Sequence, residues 1–290
     1  MDYILHVLIM ALIYTVFASS LNLQLGLAGL YNFGHVAFFA LGAYGSALLT
    51  VNGLPVAVGW IAAIAIAGLL GLVIAYPLLR LTGDYFGVAS LAFAEIIRIL
   101  LLNERWLTKG PMGVPAIPRP TWLGMPATSL VQYLIIVIVA SAAVLAVLVV
   151  VGRSPFGRFL KVIREDEEVA RAFGRDIVSY KVRCVMVGAG AAGLAGAMWA
   201  HYVTYISPAD FTIEVTILVL LSVVLGGRGT FAGPILGAFL VILVQEAVRF
   251  LPLPPEWGRL VVPIQGIIFG GVLVAMMILR PQGFIPEHRE

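Results

Sequence analysis

The chain has 290 residues, of which 61% are hydrophobic and only 11% charged, and its mean hydropathy is +1.03. A water-soluble domain carries about 25% charged residues, so this composition excludes an ordinary soluble fold. No Asp, Glu, Lys or Arg lies between Asp2 and Arg80, a run of 77 residues. Because a helix needs about 20 apolar residues to cross a bilayer, that run alone predicts about three membrane spans.

Four more charge-free runs follow, at 120–152, 184–209, 229–245 and 260–279. Together they predict an all-α polytopic membrane protein, a single transmembrane domain over 1–290 with a bundle of about nine transmembrane helices; eight or ten remain alternatives. The predicted spans lie near 3–21, 33–51, 55–79, 85–102, 129–151, 184–205, 211–226, 233–248 and 260–279. Since 211–226 is short, a tilted, broken or re-entrant segment is an alternative there.

Basic residues predict the orientation of the bundle. If the hydrophilic segment 152–183 is cytoplasmic, twelve Lys and Arg residues lie inside and five outside, as the positive-inside rule requires. Nine spans then place the N-terminus outside and the C-terminus inside. The first 20 residues contain no Lys or Arg, which argues against a cleaved signal peptide and favours a retained first span.

Two segments between spans are long enough to be informative. The outer segment 103–128 is rich in Pro and Gly, so we expect a rigid extended cap and not a domain. The cytoplasmic loop 152–183 predicts a short helix, with acidic Glu165, Asp166, Glu167 and Glu168 in its first turn and Gly174 as its C-terminal stop. Its small apolar side suits a docking element; the alternative is a positive loop that only sets topology.

The order of residues in this loop resembles a known motif. Glu168, Val169 and Ala170 followed by Gly174 are similar to the EAA loop of ABC-importer permeases, in which a short cytoplasmic helix sits in a cleft of the ATPase subunit. The resemblance implies that 164–174 couples the bundle to ATP hydrolysis. These candidate coupling residues are Arg164, Glu165, Asp166, Glu167, Glu168, Val169, Ala170, Arg171, Ala172, Phe173 and Gly174.

The rest of the chain resembles one subfamily in order, the branched-chain amino acid ABC-transporter permeases of the LivM type. The blocks that carry this resemblance lie at 26–29, 32–44, 83–85, 95–98, 110–113, 206–211, 226–230, 233–234 and 280–283. Lys109 departs from the pattern, since a small residue is expected before the Gly-Pro-Met-Gly block.

The resemblance implies a complex in a bacterial-type inner membrane. Its expected partners are a second, different permease subunit, two cytoplasmic ABC ATPases and a periplasmic substrate-binding protein that delivers leucine, isoleucine or valine. ATP would be used by the partner subunits, with no cofactor, metal, catalytic residue or nucleic acid assigned to this chain. Urea, short amides or another small solute remain alternative cargoes of the same architecture.

Four polar residues in the spans are candidates for the transport pathway. Glu95 and Arg98 are three apart on one face of a predicted helix, where they could meet an amino acid's charged groups or neutralise each other as a structural pair. Asn32 and His35 begin the second span, as pathway or structural hydrogen-bonding groups. A stand-alone secondary transporter or channel is a rival of another class, since broken Gly-rich helices occur there too; a purely structural membrane subunit is a further one.

Overall fold

A computed structural model describes residues 2–81, 84–122, 125–126 and 129–249, with scattered positions between 266 and 286. Its main elements are helices. They are α1 (Asp2–Asn22), α2 (Val36–Val51), α3 (Val56–Leu78), α4 (Asp84–Asn103), α5 (Arg105–Thr108), α6 (Leu130–Arg153), α7 (Pro155–Glu165), α8 (Glu167–Ala172), α9 (Ile177–Val203), α10 (Ile213–Gly226) and α11 (Gly233–Arg249).

Eight of the nine predicted spans coincide with helices of the structure: α1 to α4, α6 and α9 to α11. Six helical segments in the described part of the chain are long and apolar enough to cross a membrane, and α2 and α11 are shorter apolar helices. The ninth predicted span, 260–279, lies mostly outside the described residues, so the count of nine stays a prediction. The predicted all-helical character is confirmed, and the six long apolar helical segments agree with a polytopic membrane protein.

One helix boundary and the conformation of one connecting segment differ from the prediction. The sixth span was placed at 184–205, but α9 begins seven residues earlier, at Ile177, because a helix can continue beyond the apolar core with Lys181 and Arg183 on its first turns. The outer segment is not extended throughout. It contains α5, a 3₁₀ turn at Gly110–Met112 and two strands that pair antiparallel, β1 (Thr121–Trp122) and β2 (Met125–Pro126).

Helix α9 is the centre of the bundle and packs against α1, α2 and α3. Its glycines permit this close approach: a Cβ atom on Gly42 of α2 would overlap the backbone of Gly193, and one on Gly196 would overlap the carbonyl of Phe39. In a bilayer, where lipid is as apolar as the side chains, such small residues let helices gain van der Waals contact. Around this centre, α1 also packs against α6, α10 and α11.

The predicted inner and outer segments separate to opposite ends of the bundle. At one end, Asn22 donates from Nδ2 to the Thr230 carbonyl and accepts from the Gly229 amide, at 2.8 and 2.9 Å. At the other, His6 Nδ1 lies 2.6 Å from the Tyr202 hydroxyl, and Val114 and Ile206 form a β-bridge. This grouping agrees with the predicted topology, and which end faces the cytoplasm stays a prediction.

The chain between α1 and α2 is broken inside the bundle. After Asn22, the helix widens into a π-helix at Leu23–Leu27, and α2 begins at Val36. The connection is buried at depth, since Gly34 contacts Ser90, which lies well inside α4, and His35 stacks on Phe17 of α1 with ring centroids 5.2 Å apart. Helix α2 therefore begins within the bundle and not at its surface.

Hydroxyl groups from two other helices accept hydrogen bonds from the backbone amides of this break. The Ser90 hydroxyl of α4 accepts from the amides of Phe33 and Gly34 at 3.0 and 3.3 Å, and Thr216 of α10 accepts from the Val36 amide at 3.3 Å. Irregular backbone is tolerated at membrane depth when protein buries it and supplies such partners. The hydrogen-bonded break therefore connects α1, α2, α4 and α10.

Enlarging Gly42 tests the central packing. We expect Gly42→Val to destabilise the bundle by about 1–3 kcal/mol, because three added carbon atoms must displace the Gly193 backbone. Thermal unfolding in detergent would measure the loss. Ala65→Leu also adds three carbons, on an exposed position of α3, and should leave the melting temperature nearly unchanged. Equal losses in the two variants would contradict the packing account.

Removing the Ser90 hydroxyl tests the break itself. Ser90→Ala leaves the half-buried amide of Phe33 without its acceptor and the Gly34 amide with Asn32 as its remaining acceptor, at a cost of about 1–3 kcal/mol. The melting temperature should fall by several degrees. Ser141→Ala is the matched control, since Ser141 is equally buried in α6 but its hydroxyl finds no partner among the described residues. A larger effect at Ser141 would refute the assignment.

Candidate coupling and transport site

The loop 152–183, which was predicted to be cytoplasmic, contains two consecutive helices, α7 and α8. The Ser154 hydroxyl caps α7 by accepting from the Gly157 amide, and Pro155 occupies its first turn. The chain then turns sharply at Asp166, whose φ of −154° is not helical. The predicted single helix is therefore wrong at its start: Arg164 and Glu165 end α7, Asp166 is the N-cap of α8, and only Glu167 and Glu168 are acidic residues of its first turn.

Helix α8 is held by an N-cap at its start and by two ion pairs of Glu167, one of which reaches α9. The Asp166 carboxylate accepts from the amides of Glu168 and Val169 at 2.9 and 3.0 Å, as in a standard N-cap. Glu167 binds Lys181 of α9 at 2.7 Å and Arg171 at 3.0 Å. Burial tends to raise the pKa of Glu167, but these hydrogen bonds and charges outweigh it and hold that pKa below its usual range. Glu167 therefore stays ionised and links α8 to α9.

Another side of α8 is exposed and partly apolar. Ala170 is fully buried against the bundle, whereas Val169 and Phe173 are 50% and 67% exposed. Gly174 follows with a φ of +69° and open space where a side chain would be, so the helix ends in a left-handed turn that glycine favours. An exposed Val and Phe beside charged residues form a small surface suited to contact with another protein.

The end of the loop is fixed where α9 begins. Asp176 caps α9 by accepting from the Val178 and Ser179 amides at 3.1 and 3.3 Å. The Ser179 hydroxyl also donates to this carboxylate, and its hydrogen bond is the largest of the effects that keep the pKa of Asp176 below its usual range. Arg175 lies 5.2 Å over the Phe159 ring. Both ends of α8 are thus attached to rigid elements.

Arg164 connects this loop to the break between α1 and α2. Its guanidinium donates from Nη1 to the carbonyl oxygen of Gly26 in the π-helix. Its aliphatic carbons also approach Gly29, where a Cβ atom would stand 3.1 Å from Cγ of Arg164. Arg164, which was predicted to be a coupling residue, therefore contacts the irregular backbone of the bundle directly.

Asn32 and His35 lie on the other side of the same break. Asn32 donates to Gln24 Oε1 at 2.8 Å and accepts from the Gly34 amide at 3.0 Å. Because the Ser20 hydroxyl donates to the Phe17 carbonyl, it accepts from Nε2 of His35 at 2.8 Å. Both side chains are buried and hold the broken segment in place; their predicted contact with a transported solute stays a prediction.

Glu95 and Arg98 form the expected pair, on α4. Arg98 Nε donates to Glu95 Oε2 at 2.9 Å. The pair points away from the rest of the chain, with 52% of the Glu95 side chain and 28% of the Arg98 side chain exposed. The structure does not bring it together with Asn32 and His35, although Ser90, on α4, joins the two regions.

Sequence reasoning missed several polar residues that hold this site. Asn22, Ser90 and Thr216 satisfy the turn at 229–230 and the break at 33–36. Their only signal in the sequence is a small polar side chain in an apolar span, which many serines and threonines share. Within the described residues, no group of three or more His, Cys, Asp or Glu is placed to hold a metal ion.

The sequence matches known transport proteins over nearly its whole length. A family model described as "Branched-chain amino acid transport system / permease component" matches residues 3–277. The chain is 35% identical, over 97% of its length and 69% of the relative's, to the high-affinity branched-chain amino acid transport system permease protein LivM of Salmonella typhimurium.

Two further relatives extend the comparison. A probable branched-chain amino acid transport permease protein LivM of Methanocaldococcus jannaschii is 26% identical over 99% of this chain and 94% of its own length. The permease protein LivH of Salmonella typhimurium is 25% identical over 94% of this chain and 91% of its own length. No solved structure matches. The chain belongs to the family of branched-chain amino acid transport permeases.

Proposed function

We propose that this chain is a membrane subunit of an ATP-driven importer, coupled to separate ATPases through residues 164–174. The observation that carries the proposal is α8, a short helix fixed at both ends to the bundle with Val169 and Phe173 exposed on its free side. Its family relatives are transport permeases of branched-chain amino acids. Leucine, isoleucine or valine is accordingly the proposed cargo.

The contacts of the loop suggest how ATPase motion reaches the membrane. An ATPase cleft would receive α8 through Val169 and Phe173. Movement of α8 then pulls on α9 through the Glu167–Lys181 ion pair and on the π-helix through Arg164. A break in a helix ladder is a natural place for two arrangements of a bundle to interconvert.

The proposed assembly follows from the family. Similarity to both LivM and LivH proteins supports a pair of related permease subunits; the two ATPases, which bind the ATP, and an external substrate-binding protein are proposed as the other members. The proposed location is a bacterial inner membrane, with the N-terminus outside and 152–183 in the cytoplasm. Glu95 and Arg98 are proposed to line the passage, and Asn32 and His35 to shape it from within.

Gly174→Pro tests coupling at the end of α8. Proline fixes φ near −65°, so it cannot adopt the left-handed turn at this position. We expect ATP-dependent uptake to fall at least tenfold while the chain still inserts and its binding protein still binds ligand. Gly53→Pro is the control, because Gly53 is also left-handed and unobstructed but lies in the predicted outer turn. Normal uptake by Gly174→Pro would contradict the coupling role.

Arg164→Met tests the link to the broken helix. The variant keeps the aliphatic contact with Gly29 but cannot donate to Gly26. We expect ATP hydrolysis to persist while the amount of amino acid moved per ATP falls several-fold in proteoliposomes. Arg158→Met, on an exposed position of the same helix, serves as the control and should keep the normal ratio. An unchanged ratio in Arg164→Met would contradict the proposed role of Arg164 in coupling the loop to the π-helix.

A further inference from the structure

Helix α4 is buried on one side only. Phe86, Ser90 and Ala94 face the bundle, whereas Val88, Ile96 and Ile99 are 65%, 55% and 43% exposed. Its contacts within the chain are with α2, α3, α5 and the 3₁₀ turns of the outer segments. Among the described residues, the side of this span that carries Val88, Ile96 and Ile99 is therefore left open to another surface, lipid or protein.

The exposed side of α4 carries the Glu95–Arg98 pair. At 1.5 Å per residue, Glu95 and Arg98 lie about 12 Å and about 8 Å from the end of the helix at Asn103, away from its terminal turn. Charged side chains at such depth are costly against lipid and normally face protein or water. Their mutual ion pair reduces that cost, but 52% of the Glu95 side chain is still exposed.

The other exposed faces of the bundle need no such cover. Helices α3 and α6 expose apolar side chains such as Ile61, Leu69 and Val139, and the groove between them, about 860 Å³, is lined by apolar residues and Trp60. Lipid tails can cover these surfaces without penalty. Among the described residues, α4 is the span that exposes an ion pair away from its terminal turns.

We propose that the α4 face bearing Glu95, Arg98 and Ile99 is the surface through which this chain contacts the second permease subunit. The inference rests on the proposed function for the existence of that subunit. This chain resembles both LivM and LivH proteins over most of its length. Two related folds can pair through corresponding faces about a pseudo-two-fold axis, which would set their α4 helices opposite each other.

Such pairing gives the Glu95–Arg98 pair polar or hydrated surroundings between the subunits. It also connects the interface to the interior of the chain, because Ser90 on the opposite side of α4 holds the broken segment through Phe33 and Gly34. The partner surface is therefore expected to carry charged or hydrogen-bonding groups opposite Glu95 and Arg98, within an otherwise apolar face.

Site-specific photo-crosslinking in the intact complex tests this surface. A benzophenone amino acid at Ile99, with light applied in native membranes, should give an adduct that mass spectrometry identifies as the second permease subunit. The same group at Val139, which is 64% exposed on α6, should react with lipid. Lipid adducts alone at Ile99, or a permease adduct of equal yield at Val139, would overturn the proposal.

A second measurement addresses the charges. Replacing the pair by Glu95→Leu with Arg98→Leu should lower the second permease subunit retained on purification at least fivefold; unchanged retention would overturn the interface. Ile61→Leu with Leu69→Ile on α3 is the control. The proposed ATPase contact, α8, lies at the other end of the molecule. If the ATPases co-purify with this chain but the probe at Ile99 forms no adduct with a permease subunit, this interface alone is refuted. Absence of both partners would refute the proposed function as well.

Discussion

A bilayer offers no water to a backbone group that has lost its helical partner, and this constraint governs how the chain is built. The connection from Leu27 to Val36 is irregular and, apart from the exposed Tyr31, buried or half-buried, so its freed amides need acceptors inside the protein. Ser90 supplies one for Phe33 and Gly34, and Thr216 supplies one for Val36. The bundle is consequently held together at the point where its helices are least regular.

The same requirement makes the break a meeting point for distant parts of the chain. Arg164 reaches Gly26 from the loop 152–183, and Asn22 binds the turn at Gly229 and Thr230. A displacement of α8 therefore has a direct route to α1, α2 and, through Ser90, to α4. The proposed coupling segment and the proposed subunit interface lie on opposite sides of one hydrogen-bonded core.

The sequence was most informative where a physical limit leaves few solutions. Apolar runs of about 20 residues predict membrane helices, and helices are found at eight of the nine predicted spans, because hydropathy dominates in a bilayer. The start of α9 was placed late, since Lys181 and Arg183 continue the helix beyond the apolar run. The first charged residues beyond an apolar run therefore indicate the edge of the membrane, but they do not indicate where the helix ends.

The candidate site could be predicted in part for similar reasons. The acidic start and the glycine stop of α8 are local signals, although the second helix boundary at Asp166 was missed because an N-cap aspartate and a first-turn aspartate look alike in sequence. The pairing of Glu95 with Arg98 follows from their spacing. The contact of Arg164 with Gly26 spans 138 positions, and no local pattern could predict it.

Reconstitution measures the central claim, that the chain transports only as part of an ATP-driven complex. The permease pair, its ATPases and the external binding protein would be placed in liposomes and assayed for leucine uptake. The account predicts uptake that requires ATP and the binding protein and persists when ionophores collapse proton and sodium gradients. Uptake by this chain alone, without ATP and driven by an ion gradient, would contradict it.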